Sequence, residues 1–435
     1  MTSTEPAATK AWPAPTASGA VSGTVRVPGS KSQTNRVLVI AALADAPVVI
    51  RNPLIARDSA LMAAALGTMG SPVIETSAHE WTVVPGVLVG NADIDCGLAG
   101  TVMRFIPPVA ALALGPTRFD GDERARERPM AGLLGALRTI GVVVNDDNRG
   151  ALPFEIVGTG SVKGGVATID ASASSQFVSG LLLAGARFDE GIIVRHVGSH
   201  LPSVPHIDMT LATLADFGVS AARVDTAAWQ VEPGMPTGGG EYIIEPDLSN
   251  AAPFLAAALA TGGSVTIPDW PTQTSQPGDD IRVLLQDMGA TAELSDVGLV
   301  VHGRGIIHGI TADLAGVSEL VPTIAALALF ADSPTTIRGV AHMRGHETDR
   351  LAALVSEINR LGGAAEETPD GVRISPQPLH AGRWNSYADH RMATAGAIVG
   401  LLTPGVEVVD VESTSKTMPN FVELWTQLVT PDGSV

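Results

Sequence analysis

The sequence predicts an α/β protein of two domains, assembled from six copies of one unit about 70 residues long. Ala- and Leu-rich segments of helical period recur near residues 34–46, 100–115, 175–187, 249–262, 319–332 and 390–403. Taking Ser32, Thr101, Ser175, Ser249, Glu319 and His390 as markers, the intervals are 69, 74, 74, 70 and 71 residues. A second helical series opens near Asp58, Ala131, His206, Asp279, Asp349 and Asn420, at intervals of 73, 75, 73, 70 and 71. Finally, 435 residues exceed what one hydrophobic core usually serves, so two domains of about 200 residues each are expected.

Between the helices lie short β-rich runs bounded by Gly, Pro or Asn: Pro47–Ile50, Gly141–Val144, Gly191–Val197, Gly263–Ile267, Pro334–Val340 and Val406–Val411. Each unit therefore reads strand, helix, strand, helix, strand, strand. Grouped three and three, the units place a domain boundary near Glu245–Asn250.

Composition narrows the function. The net charge of −18 makes nucleic acid and anionic membranes poor partners, because both require a broad basic face. An anion would need a local basic pocket instead. With 23 arginines and four lysines, most fixed positive charge sits on planar forks suited to carboxylate and phosphate. The single cysteine, Cys96, excludes an intrachain disulfide, favours the cytoplasm and is expected to be a buried, inert thiol. The first 23 residues lack both a basic n-region and an apolar run, and are read as a mostly disordered tail. No apolar stretch reaches the roughly 18 residues a membrane span requires.

Two of the four lysines stand in near-identical settings close to opposite ends of the chain, Ser30-Lys31-Ser32 and Ser415-Lys416-Thr417. An ammonium between two hydroxyls suits the oxygens of a phosphate ester. The helix entrances carry Gly100-Thr101, Ser174-Ser175-Gln176, Asp247-Leu248-Ser249, Ser318-Glu319 and Asp389-His390-Arg391 as well. Helix N-termini present free N–H groups and the positive end of a dipole, so entrances sharing one cleft would gather positive potential inside an acidic protein. For Ser249 and Asp279 an ordinary N-cap role is preferred.

Seven stretches together resemble the 5-enolpyruvylshikimate-3-phosphate synthase family: Val27–Arg36, Leu98–Arg104, Glu127–Pro129, Ser174–Phe177, Glu347–Arg350, Asp389–Met392 and Ser415–Thr417. They run in order over about residues 16–430. The resemblance implies a two-domain inside-out α/β barrel with three copies of the unit per domain and an active site in the hinge cleft. Residues 1–15 would be a disordered tail, 16–30 with 246–435 the domain on the phosphoenolpyruvate side, and 31–245 the domain on the shikimate 3-phosphate side. The implied reaction moves the enolpyruvyl group of phosphoenolpyruvate to the 5-hydroxyl of shikimate 3-phosphate and releases phosphate. No cofactor or metal is needed, because proton transfer and charge neutralisation suffice for addition and elimination. A cytoplasmic monomer whose halves close over the two substrates is expected.

Carried over by position, Glu347 and Lys31 resemble the proton-transfer pair and Glu319 the base on the 5-hydroxyl. Lys31, Gly100, Arg124, Gln176, Arg350, Arg391 and Lys416 resemble the phosphoenolpyruvate site, with Gly100 allowing close backbone approach to the phosphate. Lys31, Ser32, Arg36, Ser174, Ser175, Gln176, Ser203, Glu319 and His346 resemble the shikimate 3-phosphate contacts, and Asp247 is a weaker candidate. Departures from the commonest family pattern include His342, His346, Glu319, Val204, His206, Leu98 and Phe105. Of these, His346 introduces a group that titrates near neutrality. His342 and His346 have a ligand-like spacing, but Gly345 interrupts a helix and no further metal ligand is evident.

Other readings have weaker signals. The sister enolpyruvyl transferase acting on UDP-N-acetylglucosamine commonly carries a cysteine on the loop corresponding to Gly121–Pro129, and none stands there. No complete Gly-x-Gly-x-x-Gly before a helix and no P-loop supports a nucleotide enzyme. A non-catalytic anion-binding protein would keep the basic clamp but have no use for Glu347.

Overall fold

The six-fold period is realised as six small sheets with one strand order. The computed structural model describes residues 11–430. In the second repeat Ala92–Asp95 lies parallel to Leu114–Asp120, which runs antiparallel to Phe154–Thr159, itself antiparallel to Val143–Asn145. The order recurs in Gly165–Ile169, Ile192–His196, Ala228–Val231 and Ala221–Asp225. It recurs again in Thr311–Asp313, Thr335–Arg338, Gly371–Ser375 and Ala364–Thr368. In each case the two parallel strands are joined through a buried helix, the βαβ connection that parallel neighbours demand.

The other sheets take a strand from elsewhere in the chain. Val48–Arg51 pairs with Glu241–Ile243, and Ser264–Pro268 pairs with Ser22–Thr24, both in parallel. In the sixth sheet Gly382–Asn385 lies parallel to Val406–Val409, whose other edge takes Ala11–Pro13 in antiparallel register. This corrects the expectation of a disordered tail for residues 11–15 and most of 16–23. Ala14 is buried and its N–H donates to the Val406 carbonyl at 3.0 Å, while Trp12 sits edge-on to Phe421. The Ala/Pro-rich composition concealed that the sixth sheet lacks a third strand without this segment; residues 1–10 of the expected tail lie outside the described residues.

The chain divides into two units. One comprises Pro28–Asp247 with Gln273–Pro277; the other holds the described residues up to Val27, Leu248–Thr272 and those from Gly278 onward. Against the expected division, Pro28, Gly29, Ser30, Pro246, Asp247 and 273–277 move to the first of these. Hydrogen bonds explain the shift: Asp247 N donates to Pro28 O at 2.9 Å, and Gln276 Nε2 donates to Glu245 Oε2 at 2.8 Å and Pro246 O at 2.9 Å.

Within each unit three helices pack against one another and are buried on nearly every side. In the Pro28–Asp247 unit these are Lys31–Ala42, Gly100–Ala110 and Gln176–Gly185; in the other they are Leu248–Thr261, Val321–Ala328 and His390–Leu402. A helix apolar all round belongs in a core, which is why these segments read as Ala- and Leu-rich rather than one-sided. The sheets and amphipathic helices such as Arg350–Arg360 cover them, giving the inside-out arrangement. Close approach is specified in places by glycine. A Cβ on Gly180 would stand 2.1 Å from the Arg104 carbonyl oxygen, so only glycine lets these two helices meet there.

Candidate active site

In the Pro28–Asp247 unit, side chains in the first turns of the three central helices form a closed ring. Asn35 Nδ2 donates to Thr101 Oγ1 at 2.8 Å, Arg104 to Gln176 Oε1 at 3.0 Å, and Arg36 reaches Ser179 Oγ at 3.5 Å. Three N-termini therefore stand side by side, and their dipoles add at one end of the bundle. Ser30 caps the first, its hydroxyl accepting from Gln33 N at 3.4 Å. Lys31 follows, with its N–H on Asp247 Oδ2 at 3.1 Å and its ammonium 3.7 Å from the buried carboxylate of Asp58. Ser32 lies in the same first turn and lends its carbonyl to Arg36 at 2.8 Å. At the third helix Ser174 Oγ accepts from Gln176 N at 3.3 Å, and Ser175 is the buried N-cap. Ser203 is buried with φ of 50° just before the helix Pro205–Asp216.

Two arginines that the resemblance places at ligands are engaged within the protein. Arg36 is 0% exposed, its guanidinium bound to Thr210 Oγ1 (2.8 Å), Ser32 O (2.8 Å) and His206 O (2.9 Å) and lying over the Phe105 ring. It therefore braces the ring of helix starts. Arg124 is 56% exposed and pairs with Glu127 at 3.0 Å. Arg128 is 8% exposed, donates to Leu98 O at 3.3 Å, and has its terminal nitrogens 3.1 and 3.2 Å from where a Cβ on Gly100 would sit. Arg104 approaches the same point at 2.4 Å. A backbone with no side chain, bracketed by two guanidinium groups at a helix N-terminus, is an anion cradle. The sequence reading did not single out Arg104 or Arg128, although both stand in resembling stretches, Leu98–Arg104 and Glu127–Pro129.

In the other unit the sequence-distant Glu347, Arg350, Asp389 and Lys416 come together. Glu347 Oε1 is 3.0 Å from the Lys416 ammonium and Oε2 is 3.0 Å from Arg350. Arg350 also forms a two-pronged pair with Asp389, at 2.7 and 3.1 Å, and donates to His346 Nδ1 at 3.0 Å. Burial pulls the Arg350 pKa down, but the charges of Asp389 and Glu347, with Glu319 behind them, raise it above the ordinary arginine range. This guanidinium is permanently charged. Because it must donate, His346 Nδ1 accepts, which fixes that ring as the Nε2–H tautomer.

Glu319 stands in the turn Ser318–Leu320 ahead of its helix, and Ser318 Oγ is 3.0 Å from His342 Nε2. The His342 and His346 rings meet edge to face at 5.4 Å, on a short 3-10 turn that ends at Gly345. Asp389 caps its helix by accepting from Arg391 N at 2.9 Å, which sets Arg391 in the first turn. Lys416 closes the turn Val411–Lys416, and Thr417 is held by Asn250 through bonds of 3.2 and 3.3 Å. In this unit Arg391 stands at the start of a central helix, while Arg350 and Lys416 come from the covering helix Arg350–Arg360 and the turn Val411–Lys416, with the Glu347 carboxylate between them.

A family model for EPSP synthase (3-phosphoshikimate 1-carboxyvinyltransferase) matches residues 15–425. The chain belongs to that family. A protein named 3-phosphoshikimate 1-carboxyvinyltransferase from Kocuria rhizophila is 53% identical over an alignment of 433 residues, with 97% of this chain and 97% of that protein covered. Among solved structures, an EPSP synthase from Acinetobacter baumannii superposes with a TM-score of 0.79 at 23% identity, covering 96% of this chain and 97% of that one. The enolpyruvyl transferase NikO from Streptomyces tendae gives 0.73 at 18%, covering 95% and 96%. Both share the two-domain inside-out α/β barrel. Cys96 is buried, and burial followed by the charges of Asp95 and Asp120 pushes its thiol pKa far up. No helix among the described residues is long and apolar enough to cross a membrane.

Proposed function

We propose that this protein transfers the enolpyruvyl group of phosphoenolpyruvate to the 5-hydroxyl of shikimate 3-phosphate, giving 5-enolpyruvylshikimate 3-phosphate and phosphate. The observation that carries this is the Glu347 carboxylate held between Lys416 and Arg350, each at 3.0 Å, in a nearly buried setting. A pure anion binder gains nothing from a carboxylate inside its cationic clamp. An addition–elimination enzyme needs one.

The chemistry runs in two halves. An enol ether carbon accepts a nucleophile only as its methylene is protonated, so the 5-hydroxyl oxygen bonds to C2 while C3 gains a proton and the hydroxyl loses one. The product is a tetrahedral phospho-ketal. Elimination then removes a proton from the new methyl group, re-forms the double bond and breaks the C2–O bond to phosphate. Lys416, Arg350 and Arg391 hold the phosphate and carboxylate of phosphoenolpyruvate. Cations drawn toward the ester are drawn away from Glu347, which favours its protonated form and makes it the acid of the first half and the base of the second. Glu319 takes the hydroxyl proton, and His346 faces the acceptor with its Nε2–H.

On the Pro28–Asp247 side, Lys31, Ser32, Ser174, Ser175, Gln176 and Ser203 receive shikimate 3-phosphate. Gly100 with Arg104 and Arg128 receives phosphoenolpyruvate oxygens. The −18 net charge supports small anions rather than polyanions as partners, and we place the enzyme in the cytoplasm as a monomer. Running the reaction in D2O tests the proton route: deuterium enters the vinyl methylene of the product if C3 is protonated and then deprotonated. A product with no deuterium there rejects the mechanism.

A further inference from the structure

The segment Asn385–Asp389, leading into the helix His390–Leu402, carries more restraint than a helix start requires. Tyr387 and Ala388 have φ of 57° and 55°, two consecutive non-glycine residues in the left-handed region. Such a backbone persists only where its surroundings over-determine it. One restraint is Glu357, a fully buried carboxylate on the helix Arg350–Arg360. It accepts from Asn385 N at 2.9 Å, Asn385 Nδ2 at 3.2 Å, the Tyr387 hydroxyl at 2.5 Å and Arg360 at 3.1 Å. Burial and the bond to Glu357 keep the Tyr387 phenol protonated and able to donate.

On the other side Ser386 Oγ donates to Asp410 O at 3.2 Å and lies 3.3 Å from its carboxylate. Asp410 is itself left-handed, with φ of 58°, and begins the turn that ends in Lys416. The segment then closes on Asp389, which grips Arg350 and caps the N–H of Arg391. One short loop is thus bonded to the helix bearing Arg350, to the turn bearing Lys416 and to the first turn bearing Arg391. Arg360 alone would serve a carboxylate whose only task was helix stability.

We infer that Glu357, Tyr387 and Ser386 are positioning residues that set Arg350, Arg391 and Lys416 as one group for the phosphoenolpyruvate end of the reaction. The inference rests on the proposed function. It makes the loop specific to one substrate, because Ser174, Ser175, Gln176 and Ser203 belong to the other unit.

Tyr387→Phe and Ser386→Ala each remove one bond with little change of volume. Steady-state KM for each substrate, kcat and Tm are measured for both variants beside the wild type. The expected result is a rise of about 5- to 50-fold in KM for phosphoenolpyruvate, with KM for shikimate 3-phosphate within about twofold and Tm nearly unchanged. Wild-type constants in both variants, or equal shifts for both substrates accompanied by a fall in Tm, overturn it. A wild type with no turnover overturns the functional reading beneath it, and the control separates that failure from the others.

Discussion

The Lys416 ammonium and the Glu347 carboxylate, 69 positions apart in sequence, meet at 3.0 Å. Arg350 holds the other oxygen of the same carboxylate, so Glu347 is gripped from both sides by groups that also suit a phosphate ester. Replacing Glu347 with Gln keeps the shape and removes the transferable proton. General acid–base catalysis of this kind is worth about 10²- to 10⁴-fold, and kcat is expected to fall by that factor while KM for phosphoenolpyruvate changes little. A steady-state assay over both substrates checks the split.

The anion cradle at Gly100 predicts a binding effect instead. A Cβ there stands 2.4 Å from one Arg104 nitrogen and 3.1 Å from Arg128, both ends of flexible side chains that can yield. Gly100→Ala is therefore expected to leave Tm nearly unchanged and to raise KM for phosphoenolpyruvate by about tenfold or more, since displaced guanidinium groups lose charge-assisted hydrogen bonds. Thermal melting and titration of the substrate measure the two effects separately.

Arg124 and Arg128 offer a paired comparison. Arg124 is an exposed partner of Glu127, an arrangement worth little, and Arg124→Ala is expected to keep kcat/KM within about twofold. Arg128→Ala removes a buried guanidinium beside Gly100 and is expected to lower kcat/KM by about 10- to 150-fold, the usual worth of a hydrogen bond to a charged group. Reversal of that order would return the ligand role to Arg124.

Acid stability has a local source at Asp146. Burial pushes its carboxyl pKa up, but bonds from Gly150 N at 3.0 Å and Asn148 N at 3.1 Å, with the Arg138 guanidinium at 2.7 Å, outweigh this and leave it below the ordinary carboxylate value. A depressed pKa in the folded state means that the unfolded chain binds the proton more readily. The stabilisation is therefore present above the unfolded value and is lost as the pH falls through the folded one, below about 4. Asp146→Asn is expected to cost about 1–2 kcal/mol at neutral pH and to flatten the fall of Tm below about pH 4, so that the two curves converge. Melting curves across that range provide the check.

The repeat was legible because a helix buried on all sides must be apolar on all sides, so its period and its Ala/Leu content survive in sequence. The starts of all twelve principal helices fall within a few residues of the positions read from that pattern. The strand Ala11–Pro13 was not legible, because three residues with a Pro carry no alternation and the partner strand lies at the far end of the chain. At the site, single motifs such as Ser415-Lys416-Thr417 were visible, whereas the approach of Arg128 to Gly100 depends on how the chain turns after the short helix Glu123–Arg126, which leaves no periodic pattern in sequence. The structural part played by Arg36 was hidden for a related reason. A guanidinium at the sixth position of a helix looks available in sequence, and only the carbonyl of His206 and the hydroxyl of Thr210 reveal the bonds it makes within the protein.

The central claim is an enolpyruvyl transfer to one acceptor. Phosphate release and product mass are measured with phosphoenolpyruvate plus shikimate 3-phosphate, with phosphoenolpyruvate plus UDP-N-acetylglucosamine, and with phosphoenolpyruvate alone. The account predicts phosphate and 5-enolpyruvylshikimate 3-phosphate in equal amounts from the first mixture and background from the others. Release that does not depend on shikimate 3-phosphate, or transfer to the nucleotide sugar, would contradict it.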